Sequence, residues 1–197
     1  MSKLLIAVPC MDSVSAVFAH SLANLKHDGD IKFQVGSLVH EAREKLADIA
    51  LEEGYTHVLW LDSDMHFQPD TLERLRDHHK PFVTGVYYRR QYPYLPTVFK
   101  REDDLMKTVF DIPEEPFMVD ACGFGCVLMD VDMIREIKAK YGTCFNPYGL
   151  MGEDIAFCIR AKELDYGIWC DPTIELGHAG TVIITKQAYE DARKEQE

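Results

Sequence analysis

Short apolar runs alternate with helical stripes through the first half of the chain, a pattern that suits a sheet covered by helices. Residues 3–8, 31–35, 58–61 and 82–87 are apolar runs of strand length. Between them, Val14, Val17, Phe18, Leu22 and Leu25 recur at helical spacing. Val39, Ala42, Leu46, Ile49 and Ala50 do the same before Gly54 closes the segment. Residues 70–78 form a third helical stretch, with Asp70 and Glu73 spaced as a capping box. Strand–helix alternation calls for right-handed crossovers, and so for an α/β fold with a mostly parallel, Rossmann-like sheet.

The second half changes character. Residues 88–120 are rich in proline, tyrosine and charge and read as hairpins and loops, a smaller antiparallel portion beside the main sheet. Short strands follow at 117–120 and 126–129, then a helix at 132–140. Residues 142–152 hold three glycines and no apolar period, which marks a loop. Glu153 and Asp154 open a helix running to Leu164. Two short strands, 168–170 and 173–176, precede a charged helix from Lys186. No repeat, linker or low-complexity tract interrupts residues 1–197, and 197 residues suffice for one domain with a core.

The chemistry concentrates where the third apolar run ends. Residues 57–67 read HVLWLDSDMHF, and the run stops at Asp62 and Asp64. Open α/β sheets bind ligands beyond the carboxyl ends of their strands. Alternate residues of an extended segment point the same way, so both carboxylates are expected to face one divalent cation. Asp70 and Glu73 supply the next helix cap, which leaves this pair without that task. The net charge of −12 disfavours nucleic acid and anionic membrane as partners. It also disfavours a diphosphate, since like charges about 4 Å apart repel by about 4 kcal/mol at an effective dielectric near 20. A bridging cation removes that conflict.

Other residues extend the candidate site. His178 lies in Glu175-Leu176-Gly177-His178-Ala179-Gly180, where flanking glycines permit close approach of a ligand. Alone it reads as an ordinary histidine; beside an Asp-x-Asp it reads as a third metal ligand. Oxygen donors with one imidazole suit Mn2+ better than Mg2+. Glu153 and Asp154 either complement a helix dipole or supply a general base, with loop 142–152 able to close over substrate. Arg43 falls on the polar side of its helix, either solvated or in contact with phosphate. Tyr87-Tyr88-Arg89-Arg90-Gln91-Tyr92 is a basic, aromatic patch suited to stacking on a base or sugar, or to binding single-stranded nucleic acid, which the net charge disfavours. Gly123-Phe124-Gly125 lacks the third glycine of a dinucleotide fingerprint and is read as leaving room for a sugar.

The six cysteines form no C-x-x-C pair and sit mostly in apolar stretches, as reduced core residues do. The N-terminal residues show no signal peptide and no window reaches membrane-spanning length, so a cytoplasmic protein is expected.

Taken in order, these elements resemble the GT-A class of nucleotide-sugar glycosyltransferases, especially small bacterial and phage proteins similar to glycosyltransferase family 2. The resemblance spans about residues 4–180. It implies that Pro9, Cys10, Met11 and Asp12 edge the base and ribose, with Arg43 and Ser63 near the nucleotide. It places Asp62 on ribose or metal, and Asp64 and His178 on a metal at the diphosphate. Gly123, Phe124 and Gly125 border the donor. Asp154 resembles the catalytic base, with Glu153 beside it. The implied reaction moves a sugar from a UDP- or GDP-linked donor to an acceptor hydroxyl, with Mn2+ or Mg2+ as cofactor. The chain departs from the class in its shortness and in lacking the usual aromatic acceptor motif, which leaves acceptor and stereochemistry open. Rival readings are a phosphatase of the haloacid dehalogenase type, a nucleotidyltransferase, and a nucleotide- or carbohydrate-binding module without turnover.

Overall fold

A computed structural model describes residues 3–103, 105–180 and 183–194. Its first half follows the expected alternation: β1 (Leu4–Cys10), α1 (Ala16–Asn24), β2 (Asp30–Val35), α2 (Val39–Glu52), β3 (His57–Leu61), β4 (Met65–Phe67), α3 (Thr71–Asp77) and β5 (Phe82–Val86). The second half adds β6 (Val98–Glu102), β7 (Leu105–Thr108), β8 (Phe117–Val119), β9 (Ala121–Cys122), β10 (Cys126–Asp130), α4 (Val131–Tyr141), α5 (Glu153–Lys162), β11 (Ile168–Ala179), β12 (Ile183–Ile184) and α6 (Lys186–Lys194).

The main sheet runs β12-β11-β5-β10-β3-β1-β2, with β4 and β8 also paired to β11. β1, β2, β3, β5 and β11 share one direction, and β10 is inserted antiparallel between β3 and β5. A small antiparallel sheet, β7-β6-β9, flanks it. The architecture is therefore the mixed α/β one expected, mostly parallel with a smaller antiparallel part.

Both faces of the sheet are covered, so its central strands are apolar throughout. β3 shows how alternation serves two cores. Val58 and Trp60 join one cluster with Phe82, Phe124, Phe145 and Phe157. Leu59 and Leu61 join the other with Phe18, Phe67 and Leu72. All six cysteines are free and buried, and no helix of the described residues is long and apolar enough to cross a membrane.

Four local expectations need correction. β1 continues through Pro9 to Cys10 instead of stopping at Val8. Cys10 turns its carbonyl to Gly36 N–H in the β2 direction, so the missing Pro9 N–H faces β3, where pairing has already ended at Ala7. Asp70 sits at the α3 N-cap but makes no side-chain capping bond. The segments 168–170 and 173–176 are one strand with an irregularity between Asp171 and Glu175. There Pro172 interrupts the ladder, and Asp171 Oδ1 accepts from Thr173 N–H and Oγ1–H instead. Finally, β4 was unforeseen, because three residues carry too little period to read.

Candidate functional site

The strand ends and the start of α5 enclose a cavity of about 480 Å3 at the carboxyl edge of the parallel strands. Pro9, Cys10 and Met11 border it at the end of β1, with Gly36 and Ser37 of the β2–α2 turn beside them. Asp62, Ser63 and Asp64 enter from the β3–β4 turn, Glu153 and Asp154 from α5, and His178 from β11. Phe124 and Arg43 complete the inner wall. The cavity thus gathers most of the residues singled out in the sequence. Asp12, Gly123 and Gly125 stand off its wall; Asp12 is exposed and accepts from Ser13 Oγ.

The Asp-x-Asp is a tight turn and not an extended segment: Met65 N–H closes onto Asp62 C=O at 3.1 Å. The two carboxylates consequently reach different partners. Asp62 Oδ1 accepts from Arg43 Nη2 at 2.6 Å, and the same guanidinium sends Nε to Glu153 Oε1 at 3.3 Å. Arg43 is 2% exposed, which corrects its placement on the polar side of α2. Its remaining Nη1 has no hydrogen-bond partner, and the cation lies against the rings of Phe124 and Trp60 at 5.2 and 5.9 Å. Burial disfavours its charge, but Asp62, Glu153 and Asp154 hold it charged. Burial pushes the Asp62 carboxyl up against the pull of Arg43, with Asp64 and Glu153 adding to the push.

Asp64 is about as exposed as Asp62, with side chains 26% and 28% accessible, but meets other partners. Its Oδ2 lies 2.8 Å from Arg90 Nη1 and 3.5 Å from His178 Nε2. Burial opposes its ionisation, yet His178 and Arg90 hold its carboxyl below the usual range. His178 Nδ1 lies 3.0 Å from the Tyr88 carbonyl oxygen, which can only accept, so Nδ1 carries the proton. The protonated ring donates from Nε2 towards Asp64, which is the form that lowers the carboxyl, whereas the neutral ring turns its Nε2 lone pair to the carboxylate. In that neutral form the two electron-rich atoms suit a shared cation, and a carbonyl on the far nitrogen is the usual support for a metal-ligating imidazole. Among the described residues no three His, Cys, Asp or Glu side chains converge on one point. Asp64 and His178 are two donors that could hold Mn2+ or Mg2+ if phosphate oxygens and water completed the coordination.

Asp154 is also perturbed. Burial raises it to about 6, with the neighbouring Glu153 charge adding; Ile155 N–H and Arg43 pull the other way. A carboxylate titrating there is matched to proton abstraction at physiological pH. The preceding loop is only partly free to close. Glu44 accepts from Thr143 Oγ1 and from the N–H groups of Cys144 and Phe145, while Arg160 donates to the carbonyls of Cys144 and Asn146. Mobility is left to the exposed tip carrying Tyr148 and Leu150.

Tyr87, Arg90, Gly36 and Ser37 also border the cavity. The tyrosine and arginine lay in the aromatic patch already noted; the β2–α2 turn carried no chemical signal. A second cavity of about 500 Å3 lies along β11 towards α6 and shares no residue with this one.

No protein-family model matches the chain, and no curated protein matches it. Among solved structures it is similar to A197 from STIV, with 20% identity and a TM-score of 0.65 over 91% of this chain and 86% of that one. It is also similar to GalNAc-T7, whose crystal structure holds UDP, GalNAc and Mn2+, with 10% identity and a TM-score of 0.63. That match covers 98% of this chain but 48% of GalNAc-T7, so the chain spans about half its length. Identities this low establish fold alone, and the fold is GT-A-like.

Proposed function

We propose that this chain is a metal-dependent glycosyltransferase of the family 2 type, moving a sugar from a UDP- or GDP-linked donor to an acceptor hydroxyl. The observation that carries the reading is the Asp64–His178 pair, its tautomer set by the Tyr88 carbonyl, in one cavity with a carboxylate poised near neutrality.

Asp64 and His178 would hold Mn2+ (or Mg2+), which would supply Lewis-acid neutralisation of a departing diphosphate. Pro9, Cys10 and Met11, with the β2–α2 turn, receive base and ribose. Asp62 is oriented by Arg43 towards ribose or the cation-bound diphosphate, and Arg43 acts through Asp62 and Glu153 instead of touching phosphate. Asp154 Oδ2, free of the Ile155 N–H that Oδ1 accepts, takes the acceptor hydroxyl proton as that oxygen attacks the anomeric carbon. Glu153, tied to Arg43, lies beside Asp154 and pushes its carboxyl up, which keeps the base basic.

The test is transfer and slow donor hydrolysis across UDP- and GDP-sugars with Mn2+. Wild type turns over at least one donor, and Asp154→Asn binds that donor normally while losing at least a hundredfold in rate. Full activity in Asp154→Asn removes the base assignment. Binding without turnover across donors and acceptors favours a non-catalytic module on the same fold.

A further inference from the structure

The space that Gly123 and Gly125 leave is occupied by Tyr87. A Cβ on Gly123 would lie 2.1 Å from Tyr87 Oη, and one on Gly125 would lie 2.8 Å from Tyr87 Cζ. Neither glycine has a positive φ, so close packing and not backbone conformation accounts for them. The ring is 6% exposed and stands edge-on to the His178 imidazole, with centroids 5.4 Å apart at 81°. Its backbone carbonyl accepts from both N–H and Oγ1–H of Thr97, which anchors it from below the cavity.

Its hydroxyl is tied to the Asp-x-Asp turn by a short relay. Gly125 N–H donates to Tyr87 Oη at 3.2 Å, and Asp62 N–H donates to the Gly125 carbonyl at 3.0 Å. That is the one hydrogen bond of the hydroxyl among the described residues, and in it the oxygen accepts. The phenol's own proton has no protein acceptor. A phenylalanine would fill the same space but leave the Gly125 N–H without its acceptor, so packing and that bond explain the ring and its oxygen and leave only the hydroxyl proton without a task.

Tyr87 borders the same cavity as Asp62, Asp154 and His178. In a nucleotide-sugar site the group between the diphosphate held by the cation and the general base, here Asp154, is the transferred sugar. We propose that the Tyr87 O–H donates a hydrogen bond to a hydroxyl of the donor sugar, making Tyr87 a sugar-selecting contact; this rests on the glycosyltransferase reading of the cavity. A buried donor left unpaired by a sugar lacking that hydroxyl makes the selection steep.

The experiment compares Tyr87→Phe with wild type in Mn2+, titrating UDP against UDP-GalNAc and UDP-glucose, and GDP against GDP-mannose. The substitution keeps the ring wedge; circular dichroism checks the fold. Affinity for the bare diphosphate stays within about twofold, while affinity for the accepted sugar nucleotide falls about tenfold. Equal losses for both ligands mean a phosphate or structural role and overturn the proposal, as does no loss for either. An independent arm uses wild type with monodeoxy analogues of the accepted donor. One position loses about tenfold, and that loss disappears in Tyr87→Phe; persistence of the loss in the variant overturns the contact. If wild type binds no nucleotide at all, the reading of the cavity fails and takes this contact with it, an outcome distinct from binding that ignores the substitution.

Discussion

The inner and outer walls of the cavity use the same kinds of residue to opposite ends. On the inner wall Arg43, Asp62 and Glu153 form a closed triad around a guanidinium that is almost wholly buried. On the outer wall Asp64, His178 and Arg90 form a looser group whose arginine side chain is half exposed. Two aspartates separated by one serine therefore do different work. A buried pair is costly to break and positions what it holds, whereas an exposed pair costs little to exchange for a ligand. On the proposed reading, the contrast is why Asp64, more than Asp62, would trade its partner for a cation.

Removing the inner cation has the largest expected effect. Arg43→Met leaves Asp62 and Glu153 facing each other without compensation, and urea unfolding is expected to lose about 3–5 kcal/mol. A loss under about 1 kcal/mol would show the inner wall to be as permissive as the outer one.

Asp154 gives the next effect, with a sign fixed by its titration. Its carboxyl is raised from the usual 3.8 to about 6, so between those values the unfolded chain ionises while the native one holds its proton. Stability from this group is complete below the lower value and is lost as pH rises through about 6. Asp154→Asn escapes that loss. It is expected to be more stable than wild type by about 2–3 kcal/mol at pH 8 and equal to it at pH 4. Parallel stability curves for the two proteins across that range would mean that Asp154 is not strained in the folded state.

Arg90→Ala is the smallest change. Its salt bridge with Asp64 is solvent-exposed on the arginine side, and thermal unfolding is expected to shift by no more than about 0.5 kcal/mol. A loss comparable to that of Arg43→Met would erase the distinction between the walls.

The strands were legible because burial on both faces forces apolar runs such as residues 58–61, and the site was legible because Asp62 and Asp64 interrupt one of them. Their conformation was not. An Asp-x-Asp reads alike in an extended segment and in a turn, and the Asp62–Met65 hydrogen bond that decides it leaves no mark on composition. Arg43 was misplaced for a related reason: Glu153 lies 110 residues away, and a helix pattern shows polarity without showing which charge closes over it. Gly123 and Gly125 were visible as needing space, but what fills it depends on the packing of β5 beside β10. Glu44 gave no sign of anchoring the 142–152 loop, since its three acceptor contacts arise only when α2 meets the end of α4.

The central claim is that Asp64 and His178 together bind a divalent cation on a nucleoside diphosphate. Electron spin-echo modulation of Mn2+ bound with UDP or GDP reads a directly ligated imidazole nitrogen. Wild type is expected to show that nitrogen coupling and His178→Ala to lose it while remaining folded. Coupling absent from wild type with nucleotide bound, or retained in His178→Ala, would contradict the account.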